Sequence, residues 1–141
     1  MKRLALLLIL LTGNAFAAPQ FVALDIVLDA PEPLAAWQFE LSGTSMTVVG
    51  IENGDSDAFG DAPYYDRYAL QSGEADRIIV ADYSIASDLP SGRIRLATIH
   101  VMIDGDTPEY ELKLITATTR EGQRLDASIT VREQGANHEP S

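Results

Sequence analysis

The chain contains no cysteine and only two histidines. Disulfides, lipid attachment through cysteine and thiol catalysis are therefore excluded, and histidine-assisted serine chemistry has little to draw on. No Gly-x-Ser-x-Gly elbow and no glycine-rich phosphate loop occurs. Basic residues are scarce as well: Lys and Arg number 10 against 21 Asp and Glu, a formal charge of −11. A surface of that sign repels phosphate backbones and anionic lipid, which argues against nucleic acid and membrane surfaces as partners. Glycosidase chemistry needs two carboxylates at a set separation. With 21 acids some pair always meets it, so the count carries no weight. The chain is expected to be no enzyme.

A long apolar run is also missing. Leu4 to Leu11 is apolar but spans eight residues, well short of the roughly 20 that cross a bilayer. Preceded by Met1-Lys2-Arg3 and followed by the small-x-small pattern Ala15-Phe16-Ala17, it reads as a signal peptide over 1–17. The protein is therefore expected to be exported, periplasmic or secreted, without membrane insertion. Loss of Lys2 and Arg3 lowers the charge from −11 by two, to −13. What remains is the size of one domain whose core suffices without staples. That domain is expected over 18–132, with a polar, fraying tail over 133–141.

What the sequence does have is a period of two. Val22, Leu24, Ile26 and Leu28 alternate with more polar neighbours, as do Ala35, Trp37, Phe39 and Leu41 beyond Pro31-Glu32-Pro33. Met46 to Ile51, Arg77 to Ser84, Arg93 to Ile103, the set Tyr110, Leu112, Leu114 and the set Ala127, Ile129, Val131 continue the rule, which is that of half-buried strands. Ser42-Gly43, Asn53-Gly54, Ser72-Gly73, Ser91-Gly92, Asp104-Gly105 and Glu121-Gly122 supply turn signals between them. The pattern predicts an all-β fold, an antiparallel jelly-roll-like β-sandwich of about eight to nine strands. Its one place for a short helix is Tyr64 to Gln71, inside the long connection Glu52 to Asp76.

The segments LDIVLDAPEPLAAWQFELS, MTVVGIENG, RIIVADYS, GRIRLATIHVMIDG and YELKLITATTREGQRLDASITV together resemble the cohesin-like module. That module belongs to a wider superfamily that also holds several carbohydrate-binding modules. The resemblance covers roughly Phe21 to Val131. It implies a nine-strand jelly-roll-like sandwich, extracellular and without catalytic activity, that binds another protein or a polysaccharide. In cellulosomal cohesins one sheet face docks a calcium-loaded dockerin. The chain departs from that group at Ser42-Gly43-Thr44-Ser45, where a Tyr-Asp-Pro turn is expected, and is shorter at the N-terminus by about a strand.

Candidate sites cluster in the long connection. Asn53, Asp55, Asp57 and Asp61 occupy positions one, three, five and nine of a twelve-residue calcium loop, although Ala58 stands at the turn glycine and Tyr64 at the bidentate glutamate. Tyr64, Tyr65 and Tyr68, beside Asp61 and Asp66, have the chemistry of a sugar platform, an aromatic face with carboxylates for hydroxyls. The competing account folds Phe59, Pro63, Tyr65 and Leu70 back onto the sandwich to cover a sheet edge. Trp37 is expected in the core and His100 on a strand as a solvated or hydrogen-bonded side chain. A last candidate is a flat polar face combining Thr98 and His100 with Glu109, Glu111 and Lys113 on a neighbouring strand. Three functional expectations stand together: an interaction module for an extracellular protein or polysaccharide, a free-standing carbohydrate-binding protein, and a calcium-stabilised structural or adhesion domain.

Overall fold

The alternation closes into two antiparallel sheets. The computed structural model describes residues 19–135. Its strands are β1 (Gln20–Ala30), β2 (Ala36–Thr44), β3 (Met46–Asn53), β4 (Tyr64–Tyr65), β5 (Arg77–Tyr83), β6 (Gly92–Ile103), β7 (Glu109–Thr118) and β8 (Ser128–Glu133), with one short helix, α1 (Arg67–Gln71). One sheet has the order β3-β6-β1-β8, the other β4-β5-β2-β7, and every pairing is antiparallel. The expected all-β architecture is present, with eight strands among the described residues. Positions 1–17, the expected signal peptide, lie outside the described residues, as do 136–141 of the expected tail. The tail begins later than its composition suggests. Glu133 pairs with Leu24 in the ladder, and the Gln134 N–H reaches the Ala23 carbonyl at 2.9 Å.

Period two dictates the core. Leu24, Ile26 and Leu28 of β1 meet Trp37, Phe39 and Leu41 of β2 across the two sheets, each fully buried, with Val48, Val80, Ile99 and Val101 completing the layer. Each such side chain contributes about 1.5–3 kcal/mol by leaving water. The Trp37 ring stacks on Phe39 at 5.6 Å. Its indole N–H is buried without an acceptor, a local cost of about 1–3 kcal/mol that ring packing must offset.

Sheet membership departs from the expectation at one point. The chain changes sheet at every connection except β4 to β5. The segment from β6 to β7 is thus an arch between layers, not a hairpin, although Gly105 at φ 79° looks like a hairpin glycine. Thr98 and His100 consequently lie in one sheet while Glu109, Glu111 and Lys113 lie in the other. The flat face expected from their combination does not form. Thr98 is moreover 0% exposed, and His100 lies 3.1 Å from Glu52.

Two expected turns also take a different form. Ser42-Gly43 lies within β2, and the reversal into β3 falls on Ser45, at φ 56°. Gly43 serves close packing instead: a Cβ there would lie 2.7 Å from the Met46 sulfur. Gly54 is tighter still. Ile26 faces Ala97 and Val27 faces Arg95, so Leu96 is the extra residue of a β-bulge. Gly54 rests on that bulge, where a Cβ would lie 1.9 Å from the Arg95 carbonyl oxygen and 2.7 Å from that of Leu96. The next residue, Asp55, donates its N–H to the same Arg95 carbonyl at 3.2 Å.

Gly54→Ala is therefore expected to destabilise the fold by about 3 kcal/mol, in the range of severe backbone clashes. Gly73→Ala serves as the reference. Its positive φ is strained but its Cβ meets nothing within 4 Å, so it should cost only about 1–2 kcal/mol. Urea unfolding of both variants is the check, and equal midpoints would remove close approach as the constraint.

Candidate functional site

The connection from 54 to 76 is held down by its own aromatic and apolar residues. Ser56 opens a 3₁₀ turn over Asp57–Phe59, its hydroxyl accepting from the Ala58 N–H at 3.3 Å. The turn drives Phe59 into the core, where its ring meets the edge of Trp37 at 6.2 Å and 70°. Pro63 is buried, and Tyr65 and Leu70 pack against the core. Beyond the turn, β4 adds two residues to the edge of β5, with Tyr64 opposite Ala81 and Tyr65 opposite Val80. Strand alternation then sends Tyr65 inward and Tyr64 outward. The sheet edge is covered as the structural account requires.

The five residues of the expected platform take different positions. Tyr65 is half-buried, with the Arg67 guanidinium 5.8 Å from its ring centre. Asp66 caps α1, its Oδ1 accepting from the N–H groups of Tyr68 at 3.0 Å and Ala69 at 3.3 Å. Tyr68 projects from the helix, 82% exposed. Tyr64, Tyr65 and Asp66 still share the wall of one hollow, Tyr64 and Asp61 that of another, and Tyr68 lines neither.

The four residues expected at a calcium loop do not converge either. Asn53 donates its side-chain amide to the Gly60 carbonyl at 3.0 Å, bracing the loop. Asp55 is taken by Arg95, whose Nη2 and Nε reach the same carboxylate oxygen at 2.6 and 3.1 Å. Asp57 lies in the 3₁₀ turn, and Asp61 belongs to the tyrosine region. Among the described residues no group of three or more Asp, Glu or His side chains is placed to hold a metal ion. Asp55 instead feeds a network. Arg95 donates to the Thr98 hydroxyl at 2.6 Å, Thr98 donates to Asp25 at 2.7 Å, and the Gln134 amide reaches the same Asp25 oxygen at 2.8 Å. The network ties the loop, β6, β1 and the end of β8 together.

What gathers around Tyr64 is a set the sequence did not join. Its ring lies parallel to that of Tyr83, with centres 6.1 Å apart and planes 5° apart. Both are well exposed, at 62% and 61%. The pair lines a groove of about 440 Å³ with Phe59, Asp61, Asp82 and Ile85. Tyr64 forms part of the wall of a second hollow, whose rim includes Ile79 and Arg77. Beyond it runs the outer face of β4-β5-β2-β7, where Arg77 lies 3.8 Å from Glu40 and Lys113 faces Glu40 across the ladder. Tyr83, Asp82, Ile79 and Ile85 were missing from the sequence reading. One signal was available: alternation along β5 puts Ile79, Ala81 and Tyr83, beyond Arg77, on the face opposite Ile78 and Val80, a largely apolar set for a side that should be polar.

Electrostatics separates two carboxylates. Burial pushes the Asp25 carboxyl up, but hydrogen bonds from Thr98 and Gln134 and the charges of Arg95 and Arg132 outweigh it, leaving it below its ordinary value. Burial also pushes Asp82 up. The Tyr83 N–H, which it accepts at 2.8 Å, opposes this only in part, and the Asp61 charge adds to it. The Tyr64 phenol is raised as well, first by Tyr83 and then by the acids Asp82 and Asp61.

The signs give opposite expectations. Asp25, depressed in the fold, stabilises above its unfolded value of 3.8, and the contribution is lost as pH falls through the folded value. Asp25→Asn is expected to cost about 1–2 kcal/mol at neutral pH, the gap closing below that range. Asp82, raised in the fold, opposes stability once ionised. Asp82→Asn should therefore be more stable than the parent at neutral pH, by less than about 1 kcal/mol after solvent screening, and should match it near pH 3. Melting curves from pH 3 to 7 check both; a destabilised Asp82→Asn at neutral pH would contradict the assignment.

Compared with known protein families, with characterised proteins and with solved structures, the chain gives no significant match.

Proposed function

We propose that this chain is an exported, non-enzymatic binding module of cohesin-like type, which docks an extracellular protein through the outer face of β4-β5-β2-β7. The observation that carries the reading is the character of that face. Tyr64, Tyr83 and Ile79 leave large apolar surface exposed on it, and Ile85, 92% exposed, follows at the end of β5. Arg77, Glu40, Glu111 and Lys113 surround this patch with charge of both signs. An apolar, aromatic centre within a charged rim is the usual anatomy of a protein interface. Two antiparallel four-stranded sheets among the described residues accord with an all-β sandwich, with eight strands where the resemblance implies nine. No helix among the described residues is long and apolar enough to cross a membrane.

Polysaccharide is the second reading, favoured by one feature. Paired tyrosines beside Asp61 and Asp82 offer ring faces and hydroxyl acceptors in one groove.

The absence of cysteine makes the test direct. A single thiol placed by Lys113→Cys on the proposed face, or by Thr130→Cys on the outer face of the other sheet, can carry a photo-crosslinker. Illuminated with the envelope and medium of the producing cells, the first is expected to give a discrete adduct that protease digests, and the second none. Equal labelling from both positions would overturn the docking face. An adduct that resists protease and yields to glycosidases would install polysaccharide as the ligand.

A further inference from the structure

Two charged hollows stand on opposite sheets, and their charge balance differs. In the one lined by Arg93, Arg95 and Arg132, Asp25 and Asp55 are present too. Arg95 is bonded to Asp55, Asp25 faces Arg132 across the ladder, and Arg93 faces Asp29. Cation and carboxylate are thus mixed in this hollow, three guanidinium groups against two carboxylates in its wall. The groove at Tyr64 and Tyr83 has no such mixture. Asp61 and Asp82 line it, and no cationic side chain does. Among the described residues the ion pairs join Arg77 to Glu40, Arg95 to Asp55 and His100 to Glu52, and neither Asp61 nor Asp82 takes part in one.

The geometry adds a second attraction for positive charge. The stacked tyrosine rings stand at the wall of the same groove, both more than half exposed. A cation within about 6 Å of such a ring is drawn to its negative face. Phe59 and Ile85 supply apolar wall that suits an alkyl stem, as long basic side chains bury their methylenes while the charged head stays paired. The Asp82 carboxyl, already raised by burial and by Asp61, gains when a cation arrives.

We propose that this groove takes the charged end of a lysine or arginine side chain presented by a protein partner. The proposal rests on the docking reading above and gives that partner a chemistry: a basic residue seated at the β4–β5 end of the face.

The probe is a blocked pentapeptide with one central lysine, titrated into the full chain at low salt and followed by amide ¹⁵N–¹H shifts. Shifts are expected at residues 58–62, at Tyr64 and at 82–86, shrinking as salt is added. The same peptide with an acetylated lysine should move none of them. Asp61→Asn combined with Asp82→Asn should weaken binding about tenfold or more, and that variant is expected to fold, since its Asp82 component relieves a partly buried charge. Tyr64→Leu should weaken binding by a smaller factor.

The proposal falls if the acetylated peptide binds equally. It falls also if the shifts scatter over other acidic loops and persist in the double variant, which is attraction to net charge alone. Shifts of these amides by a glucosamine oligomer but not by the peptide would move the cation from protein to polysaccharide and overturn it. A silent peptide with the Lys113→Cys adduct intact would remove the basic side chain and leave the docking face standing. Loss of that adduct with peptide binding intact would do the reverse.

Discussion

Phe59 meeting the edge of Trp37 decides where the connection from 54 to 76 lies. Trp37 sits at the centre of the inner layer, stacked on Phe39, and presents its remaining edge to a ring delivered from outside the strand framework. Once Phe59 is in place, the chain leaves the core at Gly60, beside Asp61, and is short enough to reach β5 at Tyr64 and Tyr65. That two-residue strand fixes which tyrosine faces in and which faces out, and so sets Tyr64 against Tyr83. The candidate groove is a by-product of core packing: it is lined by Phe59 and by the strand that Phe59 positions.

The other end of the connection obeys a different constraint. Gly54 and Asp55 sit on the Leu96 bulge, and the same bulge turns Arg95 outward to take the Asp55 carboxylate. An acid that would have been a metal ligand in a calcium loop is thereby neutralised by an arginine. Asp55, beside the bulge, is discharged internally, whereas Asp61 and Asp82, at the other end, have no cationic partner among the described residues.

Much of this architecture was legible in the sequence because strand burial follows a local period. The inward sets on β1, β2 and β6, the core position of Trp37, the anchoring of Phe59, Pro63, Tyr65 and Leu70, and the short helix all follow from neighbours within a few residues. Sheet membership was not legible, since a glycine turn looks alike in a hairpin and in an arch. Nor was the pairing of Asp55 with Arg95, 40 residues away, or of Tyr64 with Tyr83. Gly54 was readable as special but not as to why: its need arises from a bulge that period two does not announce. The site was half visible. Its loop residues were found, and its strand residues were hidden in a run that looked like ordinary β-sheet.

The alternation of the chain between layers has a kinetic side. With β4 to β5 the one hairpin-like step, almost every ladder must wait for a strand that is distant in sequence. β1 pairs with β6 and β8, and β2 with β5 and β7. Such topologies nucleate slowly, because loop closure precedes the contacts that reward it. The same chain has no disulfide to trap a partly formed intermediate. Before its layers close, the unpaired edges of β1 and β2, rich in Leu, Ile, Trp and Phe, are open to wrong pairing. The heavy excess of carboxylates then acquires a second purpose, keeping unfinished chains apart by mutual repulsion during the interval in which the sandwich is still assembling.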